Sequence, residues 1–336
     1  MRPHAFLPAG AVKVGSIAAW DAPTSRSRPF SPHETFFWTS TGDIIHQEKN
    51  ADGSTAVLRE HLTPSHTLQR DAAPPTQISA NSYFLQSTPD GSGLLYAKTN
   101  AIHNHDVDLH LLSADGKSDR LLAALWMPFP VWMPDGKHWL VTRTEGDYLN
   151  SLDGTPLRRL DTASLSPWTP FMLGVNPQSH AIATIGNDYF EAPDSAPRFA
   201  GVNYPAISLM EFDPAAPARH CRKWSVRVPT GSFRGQILLS TQADRILWIV
   251  EKPSPAITQW IDRHLRGHKT FYGDQKVYVS RLDGSEMQEL LSAPVEKKKW
   301  GKLVVISMPF SNIHWLSDSK RISFVYHTDL YLAPIK

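Results

Sequence analysis

The chain has 336 residues, 41% apolar and 20% charged. That excludes a disordered polymer and exceeds an ordinary single-core domain, unless the fold is built of repeats. Its 34 basic and 32 acidic residues leave a net charge of +2, too balanced for a general nucleic-acid or acidic-membrane partner. The lone Cys221 excludes an intramolecular disulfide and a cysteine-based zinc set.

The N-terminus makes a poor secretion signal. Arg2 suits the basic end, but Pro8, Gly10 and Lys13 interrupt the apolar stretch that should follow. The expected compartment is the cytoplasm, with the periplasm or secretion as the alternative if a signal was removed. No run approaches the ~20 apolar residues of a membrane helix, so membrane insertion is not expected.

Along the chain, a short turn recurs between an apolar run and a β-rich stretch. The six turns are Ser31-Pro32-His33-Glu34, Thr88-Pro89-Asp90-Gly91, Met133-Pro134-Asp135-Gly136, Asn176-Pro177-Gln178-Ser179, Thr241-Gln242-Ala243-Asp244 and Leu316-Ser317-Asp318-Ser319. They lie 43 to 75 residues apart. Such a period marks a repeat architecture, and its unevenness marks loops inserted into a constant unit.

Each turn leads into a strand such as Phe36-Phe37-Trp38, Trp139-Leu140-Val141 or Ile246-Leu247-Trp248. A second strand follows, as at 43–48, 108–112, 206–212, 276–279 and 329–332. A second turn comes next: Asp52-Gly53, Asp115-Gly116, Asp153-Gly154, Asp213-Pro214 or Asp283-Gly284. A last strand closes the unit, for example Ala56-Val57-Leu58. With the strand before the first turn, each unit holds four antiparallel strands. Repetition of such a sheet around an axis predicts an all-β fold, a six-bladed β-propeller spanning 1–336 as one domain. The final unit stops one strand short, so residues 11–18 are predicted to supply its outer strand and remove an exposed edge; the alternative is that they form the first unit's inner strand and leave the last unit with three.

The sequence Trp132-Met133-Pro134-Asp135-Gly136-Lys137, a following strand, and an Asp329-Leu330-Tyr331-Leu332 type strand together resemble the TolB-like or WD40-like (PD40) propeller repeat. The resemblance is close at 89–122, 131–160 and 315–332. It is degenerate where Gln178-Ser179 and Gln242-Ala243 replace Asp-Gly. It implies a repeat-built propeller and is silent on activity, because propellers host unrelated functions.

In an antiparallel meander the short P-D-G and D-G turns share one face, and the longer connections share the other. The long segments are 98–107, 187–205 and 251–275 between second and third strands, and 60–80, 161–169 and 292–311 between units. Long loops on a rigid scaffold are the expected place for binding.

Residues 102–108 pack His103, His105, Asp106 and Asp108 into a polar loop, which makes His103 and His105 candidate metal ligands. A polar hairpin loop is the plainer account. Asp188, Tyr189, Glu191 and Arg198 combine rings and charges suited to a sugar or peptide, or simply to a surface loop. Residues 255–268 read as a short amphipathic helix carrying Arg263, His264 and His268, followed by Tyr272. Packing over the ring or lidding a pocket is its expected role. Glu296 to Lys302 is a basic run expected to be a solvated loop.

No G-x-S-x-G elbow, phosphate loop or dinucleotide fingerprint is present. The leading expectation is a monomeric binding scaffold for a protein, peptide or glycan ligand, without nucleic acid and without a resident cofactor. The alternative is a metal-assisted lyase or hydrolase acting on a carbohydrate at the channel mouth, using a divalent metal.

Overall fold

The computed structural model describes residues 6–17, 36–52, 54–78, 82–88, 91–99, 107–125, 131–132, 138–143, 146–151, 158–159, 173–175, 181–185, 189–191, 206–212, 220–230, 232, 234–253, 272–300 and 303–335. The described residues form strands and turns, with no helix among them and thus none able to cross a membrane.

Strand β1 (Val12–Ser16) opens the chain. The first sheet holds β2 (Phe36–Trp38), β3 (Asp43–Lys49), β4 (Thr55–Leu62), β5 (Leu68–Arg70) and β6 (Thr76–Ile78). Its outer strand is split, since β5 and β6 both pair with β4. The second sheet holds β7 (Ser82–Ser87), β8 (Gly93–Thr99), β9 (Val107–Ser113) and β10 (Asp119–Leu125). The third holds β11 (Val131–Trp132), β12 (His138–Arg143), β13 (Gly146–Ser151) and β14 (Arg158–Arg159). The fourth holds β15 (Leu173–Val175), β16 (Ala181–Ile185), β18 (Ala206–Phe212) and β19 (His220–Arg227).

Between β16 and β18, strand β17 (Tyr189–Glu191) leaves its own sheet and joins the fifth. That sheet continues with β20 (Arg234–Leu239), β21 (Arg245–Pro253), β22 (Tyr272–Arg281) and β23 (Gln288–Pro294). A separate hairpin pairs β24 (Glu296–Trp300) with β25 (Leu303–Ser307). The sixth sheet holds β26 (Phe310–Trp315), β27 (Arg321–Tyr326) and β28 (Asp329–Pro334), and β1 pairs antiparallel with β28 at its outer edge. The chain is all-β, and among the described residues its sheets are antiparallel meanders of the kind stacked as propeller blades.

The core lies between consecutive sheets. Ile207, Leu209 and Val226 of the fourth sheet meet Ile237, Ile246 and Trp248 of the fifth. The opposite face of the fifth, with Leu247, Val277 and Leu291, packs on Phe310, Trp315 and Phe324 of the sixth. The sixth, through Val325, Leu330 and Val14, packs on Phe36 and Ile44 of the first. Ile45 and Val57 of the first then meet Leu94 and Leu112 of the second. A strand buried on both faces cannot alternate apolar with polar, which is why β21 reads as a continuous apolar run, Ile246 to Val250.

Hydrogen bonds pin this stacking. The Trp315 indole donates to the Leu238 carbonyl (3.1 Å), Trp38 to Ser323 Oγ (2.7 Å) and Trp224 to the Leu282 carbonyl (3.0 Å), each reaching a neighbouring sheet. The turns do the same. Thr241 Oγ1 donates to the Ser317 carbonyl (3.1 Å), Ser317 Oγ to the Ser40 carbonyl (3.0 Å), and Arg59 of the first sheet to the Gly91 carbonyl of the second.

These turns share one geometry. The amides of Gly42, Gly91, Ala243 and Ser319 each donate to the carbonyl three residues earlier, and all four residues have positive φ. Ala243 (φ 49°) and Ser319 (φ 52°) therefore occupy the glycine position without being glycine. Ser319 Oγ offsets that strain by bonding Thr241 Oγ1 (2.7 Å) and accepting from the Gln242 amide (3.1 Å).

Three expectations change. In the first unit, the tight turn is Thr39–Gly42, and Phe36–Trp38 precedes it as the edge strand β2 rather than following it. Gly42, at φ 88°, makes the reversal without Cβ strain, so the register slips by one strand there. The expected turn near 32 lies outside the described residues. Asp52 then falls between the second and third strands, at the end opposite Asp115. The basic run is not a loop, because Lys297 to Lys299 pair with Val304 to Ile306 in a hairpin.

Replacing Trp315 with Phe keeps an aromatic ring but removes the donor to the Leu238 carbonyl and part of the buried volume, and is expected to cost about 1–3 kcal/mol of stability by urea denaturation. A midpoint unchanged from wild type would remove the indole bond from the stacking account.

His314, half-buried with its ring 4.9 Å from that of Phe36 between centroids, has its pKa pushed down to about 4 by desolvation of the imidazole. Its folded value lies below the unfolded 6.5, so the stability it contributes is intact above pH 6.5 and is lost as pH falls through about 4. The loss is on the order of 3 kcal/mol. His314→Gln is expected to flatten the acid side of a melting-temperature profile between those limits.

Candidate functional site

The expected binding residues divide. His103, His105, Asp106, Asp188, Arg198, Arg263, His264 and His268 lie outside the described residues, as does the expected helix 255–268. Tyr189, Glu191 and Tyr272 are placed, and all three belong to one sheet, the fifth.

Tyr189 and Glu191 lie on β17, opposite Gln236 and Arg234 of β20. The long connection of the fourth sheet thus lends a strand to the free inner edge of the next. Glu191 pairs with Arg234, Arg234 with Glu251, and Glu251 with Gln275. One row across four strands is therefore an acid, a base, an acid and an amide. Gln275 Nε2 donates to the Phe310 carbonyl (3.0 Å) and its Oε1 accepts from the Phe310 amide (2.8 Å), so Gln275 faces the sixth sheet. Tyr272 begins β22 opposite Pro253, at the same end. This is the end where β20 starts and β21 finishes, away from the tight turns.

The other face of this sheet end holds Lys252, on β21. The residues at alternate positions before it, Ile246, Trp248 and Val250, pack on the fourth sheet, and Lys252 continues that side. Its ammonium donates to the Thr230 carbonyl (2.5 Å) and to Ser232 Oγ (3.1 Å), and lies 5.5 Å from the Tyr278 ring centroid. Ser232 is fully buried and fixed by its own bond to the Pro229 carbonyl (2.7 Å). Burial, then the Lys276 charge, push the Lys252 pKa down to about 8, against an upward pull from Glu289. Lys276 is paired with Glu289 Oε2 at 2.8 Å, and that bond raises its pKa. Lys252 is thus held by neutral oxygens while its neighbour holds the carboxylate.

Two further polar clusters lie on other sheets. Asp119 accepts from the Tyr96 hydroxyl (2.7 Å) and from His110 Nδ1 (3.0 Å), with the two rings stacked at 5.0 Å. Burial, then Asp119, raise the Tyr96 pKa, so the phenol stays protonated. Asp119 begins β10 beside the 114–118 turn, so this clip belongs to the tight-turn end. His46, fully buried, bonds Glu60 at 3.1 Å within the first sheet. Among the described residues no group of three or more His, Cys, Asp or Glu side chains is arranged to hold a metal ion.

Sequence reasoning missed Lys252, Thr230 and Ser232. The only available signal was the Glu251-Lys252-Pro253 break that ends an otherwise apolar strand.

The sequence matches no protein-family model and no curated protein. Solved structures do resemble it. The oligogalacturonate lyase of Vibrio parahaemolyticus aligns over 90% of this chain and 77% of its own, at 8% identity and TM-score 0.50. An oligogalacturonate lyase in complex with manganese aligns over 90% and 76%, at 11% identity and TM-score 0.47. The β-propeller domain of the trilobed protease of Pyrococcus furiosus aligns over 87% and 78%, at 10% identity and TM-score 0.44. The last of these is named as a β-propeller domain, and at 8% identity the likeness to the Vibrio parahaemolyticus enzyme concerns fold alone.

Glu289→Gln is expected to lower the Lys252 pKa further, because it removes the one upward pull on that ammonium. NMR of the reductively methylated protein against pH would show it; an upward movement would mean that Glu289 does not act on Lys252.

Proposed function

We propose that the chain is a six-bladed propeller of the TolB-like, PD40-repeat type that serves as a binding scaffold, taking a glycan or peptide at the loop end of the fifth sheet. The observation that supports this reading is β17. A long connection is usually mobile, yet three residues of this one are paired onto the inner edge of the next sheet. That pairing carries a Tyr and a Glu to the end of the sheet where Lys252 and Tyr272 also lie. Groups held on strands lose little further entropy when a ligand arrives, which favours binding. In this reading the protein acts as a monomer and needs no resident cofactor.

The test is a glycan and peptide array probed with the full chain and with a Tyr189→Ala, Glu191→Ala variant. A ligand retained by the parent and weakened about tenfold or more in the variant supports the reading. Equal binding by both moves the site away from β17.

The competing reading is catalytic, a metal-assisted lyase or hydrolase acting on a carbohydrate. It is separated by metal analysis of the purified protein and of a His103→Ala, His105→Ala variant. Stoichiometric divalent metal, lost in the variant, would favour catalysis over simple binding.

A further inference from the structure

We propose that Lys252 forms a carboxylate-binding subsite at the loop end of the fifth sheet, giving that end a preference for acidic ligands. The inference rests on the reading above and adds the chemical class of the ligand.

An ammonium has three donors. Two of those on Lys252 are directed to the Thr230 carbonyl and to Ser232 Oγ. Both acceptors are neutral, so they orient the cation without discharging it. Ser232 cannot swing aside, because it is buried and bonded to Pro229. The Tyr278 ring backs the cation on another side and adds no charge.

The charged groups near it do not complete the pair. Glu289 is bonded to Lys276, whose ammonium repels that of Lys252. Asp274, opposite Lys252 in register, acts on Lys276. Tyr278 stays neutral, its pKa raised first by burial. Among the described residues, Lys252 thus keeps a donor and a half-buried positive charge for a ligand. A carboxylate suits both demands, since a charge-assisted hydrogen bond in a partly desolvated place is about twice as strong as a neutral one.

Two sources could present that group, a sugar acid or a peptide C-terminus. Calorimetry on the full chain would compare a glucuronate trisaccharide with the matching glucose trisaccharide, and an acetylated dipeptide acid with its amide. The same titrations would be run on Lys252→Met, which keeps the apolar stem and removes the charge. Its melting temperature shows that the fold is retained.

The expected result is tighter binding of the acid than of its neutral partner in one of the two pairs, by about tenfold, with that preference abolished in Lys252→Met. Which pair shows it names the source. In the parent protein the acid's affinity is expected to be level between about pH 5 and 7, where the ligand carboxylate stays ionised, and to weaken as pH rises past 8, where the amine loses its proton. This pH profile needs no variant.

Equal affinity for acid and neutral ligand overturns the subsite, as does a preference that survives in Lys252→Met. If a neutral trisaccharide still binds and depends on Tyr189 and Glu191, the loop-end reading stands and only the subsite falls. If none of the four probes binds at millimolar concentration, the subsite falls as well.

Discussion

Among the described residues, the stacking that runs from the fourth sheet through the fifth, sixth and first to the second is the constraint on which the rest of the structure depends. A lone four-stranded sheet would leave one apolar face in water. Here Leu247 and Trp248, adjacent in sequence, point into different interfaces, one toward the sixth sheet and one toward the fourth. Both are fully buried. Side-chain burial is non-directional, so it alone would let the sheets slide. Indole bonds such as Trp315 to Leu238 and Trp38 to Ser323, with the turn contacts around Ser317 and Ser319, fix the registration.

That registration has a consequence for binding. The tight turns are committed to holding neighbouring sheets together at one end. At the other end the connections are uneven. Those after β3 and β27 are short, whereas the fourth and fifth sheets carry long ones. Strand β17 comes from the first of these, so the fourth sheet's surplus chain is spent on the edge of the fifth. The fifth sheet is therefore where a rigid platform and a variable loop meet. Lys252 lies there because the apolar strand β21 runs past the interface core, and its last residues leave the packed layer.

Much of the fold was legible in the chain. The Pro-Asp-Gly and Asp-Gly turns, spaced between apolar runs, have local causes: positive φ at glycine and carboxylate bonding to the following backbone, as Asp115 bonds the Lys117 amide at 3.1 Å. The first unit misled because its turn, Thr39-Ser40-Thr41-Gly42, has no proline or Asp-Gly pair, while Ser31-Pro32 imitates one. The basic run misled because lysines are poor strand formers in isolation. Pairing with Leu303–Ser307 supplies the backbone partners that propensity does not. The site was legible only in part. Tyr189, Glu191 and Tyr272 stood out as residue types, but their meeting on one sheet did not.

The sequence by itself determined the strand unit, its turns and its repetition, because those follow from backbone preferences and local hydrogen bonds within a few residues. Only the tertiary structure decided between the two places open to residues 11–18, pairing β1 with β28, and showed that β17 joins a sheet other than its own and that Lys252 is held by Thr230 and Ser232 rather than by an acid. These are pairings between segments about 20 to more than 300 residues apart, and they are set by which edges and faces remain unfilled once the sheets have stacked.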